Sequence, residues 1–241
     1  MTTLILATRN AHKADEIRAI LSGEFRLLTL NDFPGAPPLI ENADTFACNA
    51  TNKAAQLAGW VSEVSNFESR ISSSEVFVLA DDSGVEVDGL NGAPGVRSAR
   101  FASLDGSADS LSANSSRNSS DTANNAKLLR LLKDTPLDKR TARFRCVLAL
   151  TPLSPRAPAS ASPVCDADES ELRTQLFEGV CEGRVAFAPR GQGGFGYDPL
   201  FVPDGYDQTF AELDEDMKNR LSHRAQALAK LRTWLLRRPT N

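Results

Sequence analysis

Blocks of apolar residues alternate with polar breaks along the chain, and their period changes from strand-like to helical. Thr3 to Ala7 (TLILA) is a short apolar run that reads as a buried strand. Thr8-Arg9-Asn10 breaks it. From Ala11 the spacing turns helical, with Ile17, Ile20 and Leu21 on one face and Gly23 as the stop. Strand, polar turn and helix open an α/β unit. Phe25 to Leu30 predicts a second strand, and three prolines interrupt residues 31–39. Asp44 is placed to cap a helix carrying Phe46, Ala50, Ala54 and Leu57 on one side, closed by Gly59. Val76 to Ala80 (VFVLA) predicts a buried strand ending at Asp81-Asp82-Ser83-Gly84, with a second β-like run over Val85 to Val87. Residues 125–132 read as a helix, Arg143 to Leu150 as a long strand, and Leu176 to Ala188 as a hairpin around Gly183. Leu221, Ala225, Leu228, Leu231 and Leu235 form the clearest helical stripe.

Three stretches lack the apolar side chains that would offset their ordering entropy. Residues 103–122 hold eight serines in twenty positions, and 151–172 hold four prolines among small and acidic residues. Residues 62–75 are similar but shorter. All three read as flexible insertions in a single domain spanning 1–241. No internal repeat and no interdomain linker is evident.

Composition narrows the class. The 241 residues are 41% hydrophobic and 24% charged, with 15 glycines and 13 prolines, which excludes a wholly disordered or fibrous chain. The net charge of −4 is not the footprint of a non-specific nucleic-acid binder, yet leaves room for a basic pocket around one small anion. The four cysteines form no CxxC pair and there are two histidines, so a structural zinc site is not expected. Reduced thiols, no long apolar run and no secretory leader pattern predict a cytoplasmic chain without a membrane span.

Candidate chemistry sits where the blocks meet. Thr8, Arg9, Asn10, Ala11, His12 and Lys13 lie where a strand passes into a helix. There, first-turn N–H groups and the Lys13 ammonium suit a phosphate, though a simply capped helix with a surface lysine fits the same pattern. Asp81 and Asp82 follow an apolar strand at what reads as its C-terminal end, the edge at which open α/β sheets bind ligands. Carboxylate oxygens there suit Mg²⁺, and the competing reading is an acidic turn. Asp82 is expected to face ligand rather than pack. Glu41, just before the Asp44 helix, either completes that metal site or is solvated. Asn49 and Lys53, four apart on that helix, either reach the same site or form a polar surface row. Gly191 to Asp198 has four glycines in its first six positions and is not a standard phosphate loop. Phe195 and Tyr197 in it either stack on a base or fill the core. Lys218, His223 and Arg224 lie near the start of the last helix, on a face beside its apolar stripe, where donors match an oxygen-rich ligand.

Together these segments resemble the non-standard purine nucleoside triphosphate pyrophosphatases, the inosine/xanthosine triphosphate pyrophosphatase family. The matching stretches are LATRNAHK (6–13), ENADTFACNATNKA (41–54), LADDSGVEVDGLNGAPGVRSARF (79–101), GFGYDPLF (194–201) and AELDEDMKNRLSHRAQAL (211–228), in family order over nearly the whole chain. The resemblance implies an elongated α/β fold, with a central mixed sheet, flanking helices and two lobes enclosing a nucleotide cleft. It implies a homodimer that uses Mg²⁺ to cleave ITP, dITP and XTP to monophosphate and pyrophosphate. Carried onto this chain, Thr8, Arg9, Asn10, Ala11, His12 and Lys13 hold phosphates. Asp82 is the proton acceptor and a metal ligand, Glu41 the second ligand, with Asp81 a candidate to join. Ser83 touches substrate, and Phe195, Gly196, Tyr197, Asp198, Lys218, His223 and Arg224 form the base and sugar pocket. Three positions depart from the family pattern: Arg9 replaces a small residue, Cys48 a common glutamate, and Ala43 a frequent glycine. The alternatives are a pyrophosphatase of related fold for other modified nucleotides, and a non-catalytic nucleotide-binding module. The paired carboxylates argue against a mere binder.

Overall fold

The computed structural model describes residues 1–21, 23–63, 75–105, 118–153 and 173–238. Six strands form one sheet in the order β2-β1-β3-β4-β5-β6. They are β1 (Thr3–Leu6), β2 (Arg26–Thr29), β3 (Val76–Val87), β4 (Thr141–Pro152), β5 (Gln175–Val185) and β6 (Phe201–Pro203). The helices are α1 (Ala11–Ile20), α2 (Phe46–Glu63), α3 (Asp121–Leu131), α4 (Glu215–Leu221) and α5 (His223–Arg237). β1 pairs in parallel with both β2 and β3, and β5 pairs antiparallel with β6, so the sheet is mixed. All four residues of β1 are buried, as in parallel strands covered on both faces. Among the described residues no helix is long and apolar enough to cross a membrane.

The residues cluster into two compact units. The first comprises Met1–Asp82, Cys146–Gly179 and Gln226–Asn241. Its core joins Leu4 and Leu6 of β1 to Ile17 of α1 and Leu21 just after it, Phe77 and Leu79 of β3, and Leu228, Leu231 and Leu235 of α5. The second comprises Ser83–Arg145 and Val180–Ala225. Its core is more aromatic, with Phe144 against both Phe201 and Phe210 at 4.7 and 5.9 Å between ring centres.

Several boundaries differ from the sequence reading, each for a physical reason. β3 does not stop at Asp81 but runs on through Asp82, Ser83 and Gly84 to Val87, twelve residues in all. Gly84 permits this, because a Cβ there would lie 2.4 Å from the Gly95 carbonyl oxygen and from Ser98 Oγ. β5 likewise runs unbroken through Gly183 rather than turning there. β6 passes so close that a Gly183 Cβ would meet the Val202 carbonyl oxygen at 2.3 Å. α2 continues past Gly59, and its start is capped by Thr45, not Asp44, with Thr45 Oγ1 accepting the Cys48 N–H at 3.1 Å. The insertions expected at 62–75, 103–122 and 151–172 are narrower than that on the described side. α2 reaches Glu63, α3 begins at Asp121 behind a Ser120 cap, and β4 extends to Pro152. Residues 64–74, 106–117 and 154–172 lie outside the described residues. Cys48, Cys146 and Cys181 are free thiols, and Cys165 also lies outside the described residues.

Candidate active site

The first unit gathers charge around the middle of β3. Asp81 and Asp82, adjacent on a strand, point to opposite faces and take different partners. Asp81 pairs with Lys13 of α1 and accepts from the Cys146 thiol of β4 at 3.3 Å. Asp82 accepts from Asn49 Nδ2 at 3.1 Å and from Lys53 Nζ at 3.2 Å. Lys53 also donates to the Asp81 carbonyl at 2.7 Å and lies 3.4 Å from Glu41 Oε1. Asn49 and Lys53 stand one turn apart and are buried, so they reach this site rather than forming a surface row.

Asp82 is 6% exposed, against the expectation of a carboxylate facing outward. Burial pushes its carboxyl above the ordinary aspartate range, with the Lys53 and Lys13 ammonium groups pulling the other way. Burial alone would lower the Lys53 value. The Asp82, Glu41 and Asp81 carboxylates override it, and the amine is held above its usual range. Lys53 is thus an ammonium throughout the neutral range and balances the carboxylates.

The loop bearing Glu41 is held from α2. Asn49 Oδ1 accepts the Ala43 N–H at 2.9 Å, and Gln56 Oε1 accepts the Ile40 N–H at 3.1 Å. Two side-chain amides therefore fix the backbone on both sides of Glu41. At the start of α1, Thr8 Oγ1 accepts the Asn10 N–H at 3.1 Å and Asn10 Oδ1 accepts the Lys13 N–H at 3.2 Å. Arg9 turns aside and donates to the Ala36 carbonyl at 2.7 Å, while Ala11 and His12 are exposed on the first turn.

The second unit gathers the remaining candidates. Arg224 Nη2 donates to Ser83 Oγ at 2.9 Å, although the two residues are 141 positions apart. Lys218 Nζ donates to Asp198 Oδ2 at 2.6 Å, and the same oxygen accepts the Phe195 N–H at 2.8 Å. Lys218 Nζ lies 5.0 Å, and the Arg224 guanidinium 5.8 Å, from the centre of the Phe195 ring. Tyr197 donates its hydroxyl to the Ser98 carbonyl at 2.9 Å, and burial pushes its phenol up, so the donor proton stays.

The apolar stripe from Leu221 onward predicts one helix with His223 and Arg224 on a face beside that stripe. Instead the chain breaks at Ser222, in extended conformation, between α4 and α5. The break turns His223 and Arg224 inward, to 5% and 2% exposure, and the His223 ring stacks on Phe144 at 4.7 Å. Sequence reasoning left Cys146, Gln56, Asp121, Asn124 and Asn125 unnoticed. The one available signal was a run of polar residues inside a helical pattern, Asn124-Asn125, where asparagine is a poor helix former.

A carboxylate pair on a shared ammonium, beside a helix start and a lysine, is a constellation for phosphate and a hard cation. The profile of the Ham1 family matches residues 4–234 of this chain. The chain belongs to the Ham1 family. Its relatives in the family include a dITP/XTP pyrophosphatase of Desulforamulus reducens, 42% identical over 228 residues that span 94% of this chain and 92% of the relative. A dITP/XTP pyrophosphatase of Geobacter sulfurreducens is 42% identical over 236 residues, 98% of this chain and 97% of its own. Among solved Ham1 structures, the HAM1 protein of Coxiella burnetii superposes with a TM-score of 0.72 at 33% identity, covering 99% of this chain and all of its own. The nucleoside-triphosphatase, dITP/XTP pyrophosphatase of Mycobacterium abscessus gives a TM-score of 0.62 at 34% identity, over 95% of this chain and 98% of its own.

Proposed function

We propose that this chain hydrolyses the non-standard purine nucleoside triphosphates ITP, dITP and XTP to the monophosphate and pyrophosphate, using Mg²⁺. The observation that carries the reading is the buried Asp82 carboxylate, oriented by Asn49 and Lys53 with Glu41 on the same ammonium. A binding module has no need of a buried, raised carboxylate beside a phosphate-holding helix start. The Ham1 relatives named above carry the name dITP/XTP pyrophosphatase.

The donor set fits Mg²⁺. Among the described residues no group of three or more His, Cys, Asp or Glu side chains closes a cage for a metal. Mg²⁺ is commonly held by only one or two carboxylates, with substrate phosphates and water supplying the rest. Asp82 and Glu41, which share Lys53, are the oxygen donors that would hold it, while Asp81 stands on the opposite face of β3. When bound, the ion would offset phosphate charge and stabilise charge developing on the phosphoryl oxygens.

The rest of the chemistry falls to the chain. Asp82, ionised, accepts a proton from the attacking water as the bond between the α- and β-phosphoryl groups breaks. Thr8 to Lys13 bind phosphate oxygens through α1 N–H groups and the Lys13 ammonium. Phe195, Gly196, Tyr197, Asp198, Lys218, His223 and Arg224 are the residues we assign to the base and sugar. Phe195 offers a ring face, and Lys218 and Arg224 offer donors. Hypoxanthine and xanthine present an acceptor oxygen at position 6, where adenine presents an amino donor. Arg224 can only donate, so adenine sets donor against donor. Each polar group left unpaired costs about 1–3 kcal/mol, and two or three together give roughly 10²–10⁴-fold discrimination. We infer a homodimer as the working form, which size-exclusion chromatography with light scattering checks.

Pyrophosphate release from ITP, XTP, ATP and GTP with Mg²⁺ tests the reading. ITP and XTP should turn over well, and ATP and GTP poorly. Arg224→Ala should lower kcat/KM for ITP more than for ATP. ATP within about tenfold of ITP in the wild type, only ~1.4 kcal/mol, would overturn the account of the pocket.

A further inference from the structure

Helix α3 buries polar side chains, and loop backbone receives them. Asn124 Oδ1 accepts the Ala102 N–H at 2.8 Å and its Nδ2 donates to the Ala99 carbonyl at 3.3 Å. Lys127 Nζ donates to the Phe101 carbonyl at 2.6 Å. The next pair converges on a single residue of the glycine-rich loop. Asp121 Oδ2 accepts the Gly196 N–H at 2.6 Å, and Asn125 Nδ2 donates to the Gly196 carbonyl at 2.9 Å. Asp121 and Asn125 are four apart, hence on one helix face, so one face holds both backbone groups of Gly196.

Gly196 lies between Phe195 and Tyr197 with φ of 63°, a conformation glycine adopts without penalty. The glycine-rich loop is also tied on its other side, where the Gly193 N–H donates to the Ala211 carbonyl at 3.1 Å and the Phe195 N–H to Asp198 Oδ2 at 2.8 Å, so the Gly196 peptide is the part that α3 holds. Asn125 itself is unfavourable for stability on two counts. It is a poor helix former, and its buried Oδ1 meets no hydrogen-bond partner among the described residues. The hydrogen bond its Nδ2 makes to the Gly196 carbonyl offsets part of that cost.

We propose that Asp121 and Asn125 are positioning residues for base selection. They clamp the Gly196 peptide, so that the Phe195 ring keeps a fixed place against Lys218 and Arg224. The inference rests on the reading that Phe195, Lys218 and Arg224 receive the purine. Discrimination by mismatched donors works only if the site cannot yield. A loop free to shift relieves the donor clash with adenine and loosens its hold on hypoxanthine.

The test compares kcat and KM for ITP and ATP, together with melting temperature, in five variants, one of which, Phe195→Ala, removes the ring itself. Asp121→Ala removes the acceptor and Asn125→Asp replaces the donor by an oxygen of the same size. Asp121→Asn keeps a carbonyl acceptor, and Leu128→Ala opens the core under the same helix without touching Gly196. The clamp-breaking pair should raise KM for ITP about tenfold and shrink the ITP-to-ATP ratio of kcat/KM about tenfold, with kcat for ITP nearly unchanged. Asp121→Asn should restore both values, and Leu128→Ala should lower the melting temperature while leaving the ratio. Asp121 is exposed at the helix start, so Asp121→Ala carries the test even where Asn125→Asp fails to fold. An unchanged ratio in Asp121→Ala, or the same loss of ratio in Leu128→Ala, overturns the inference alone, provided Phe195→Ala shows its own rise in KM. An unaltered KM in Phe195→Ala, or no ITP preference in the wild type, overturns the base-pocket reading and the inference with it.

Discussion

Asp82 is a carboxylate kept out of water beside an ammonium, and both choices bear on its chemistry. Asn at this position preserves size and one acceptor oxygen but accepts no proton. Asp82→Asn should therefore lower kcat by at least ~10²-fold at saturating Mg²⁺. Stopped assays with ITP check this, with circular dichroism to confirm the fold. The pH dependence follows from the same neighbours. Burial raises the Asp82 pKa and Lys53 is the largest influence opposing it. Activity requires the ionised form, so it is lost as pH falls through the Asp82 pKa. Lys53 has a raised pKa and stays charged on that side, so the acid limb belongs to Asp82. Lys53→Met removes the opposing charge and should move the acid limb of kcat/KM to higher pH. A profile measured with ITP across pH 5–9 reads the shift, and a limb that stays in place would remove Lys53 from the electrostatics of the site.

At the scale of elements, buried polar side chains add fixed tethers to the apolar packing of the helices. Arg140, before β4, is 2% exposed and donates to the carbonyls of Thr135, Leu132 and Ala186 at 2.9, 2.6 and 3.0 Å. It ties the end of α3 to β4 and to the chain leaving β5. Methionine would fill the volume but remove the guanidinium donors from the Thr135 and Ala186 carbonyls, at about 1–3 kcal/mol each, while the Leu132 carbonyl still accepts the Thr135 N–H at 2.9 Å. Arg140→Met should lower the melting temperature by roughly 10 °C, taking about 3 kcal/mol at 2–4 °C per kcal/mol. Differential scanning calorimetry checks this. The α/β order of strand and helix was legible because each element carries its own period. The hairpin expected at Gly183 and the strand end expected at Asp81 were not real. In both cases a second segment passes over a glycine, and a local pattern carries no record of that segment.

For the whole molecule, the described fold reaches into the stretches that composition marks as insertions. Ser120 Oγ accepts the Ala123 N–H at 3.2 Å, and Ser119 N–H donates to the Ala99 carbonyl at 2.9 Å. These serines belong to the body of the protein although composition groups them with the serine-rich stretch. Replacing residues 107–117 by a short glycine linker should leave kcat/KM and melting temperature nearly unchanged, since loop closure changes by only about 0.6 kcal/mol per doubling of length. Extending the replacement through Ser120 should cost about 1 kcal/mol more, through loss of the helix cap. Thermal unfolding of the two deletions side by side separates them. A large loss in the shorter one would show that 107–117 packs on the body.

The sequence alone determined the α/β class, the family and the carboxylate pair. These rest on periods and motifs that are written in contiguous residues. Only the tertiary structure decided which polar side chains face inward. Asn49 and Gln56 grip the Glu41 loop, a break at Ser222 buries His223 and Arg224, and Asn125 reaches Gly196 across 71 positions. The physical reason is that hydrophobic patterning marks which face of an element is apolar. The partner of a buried polar group is set by segments that come together only when the sheet has formed.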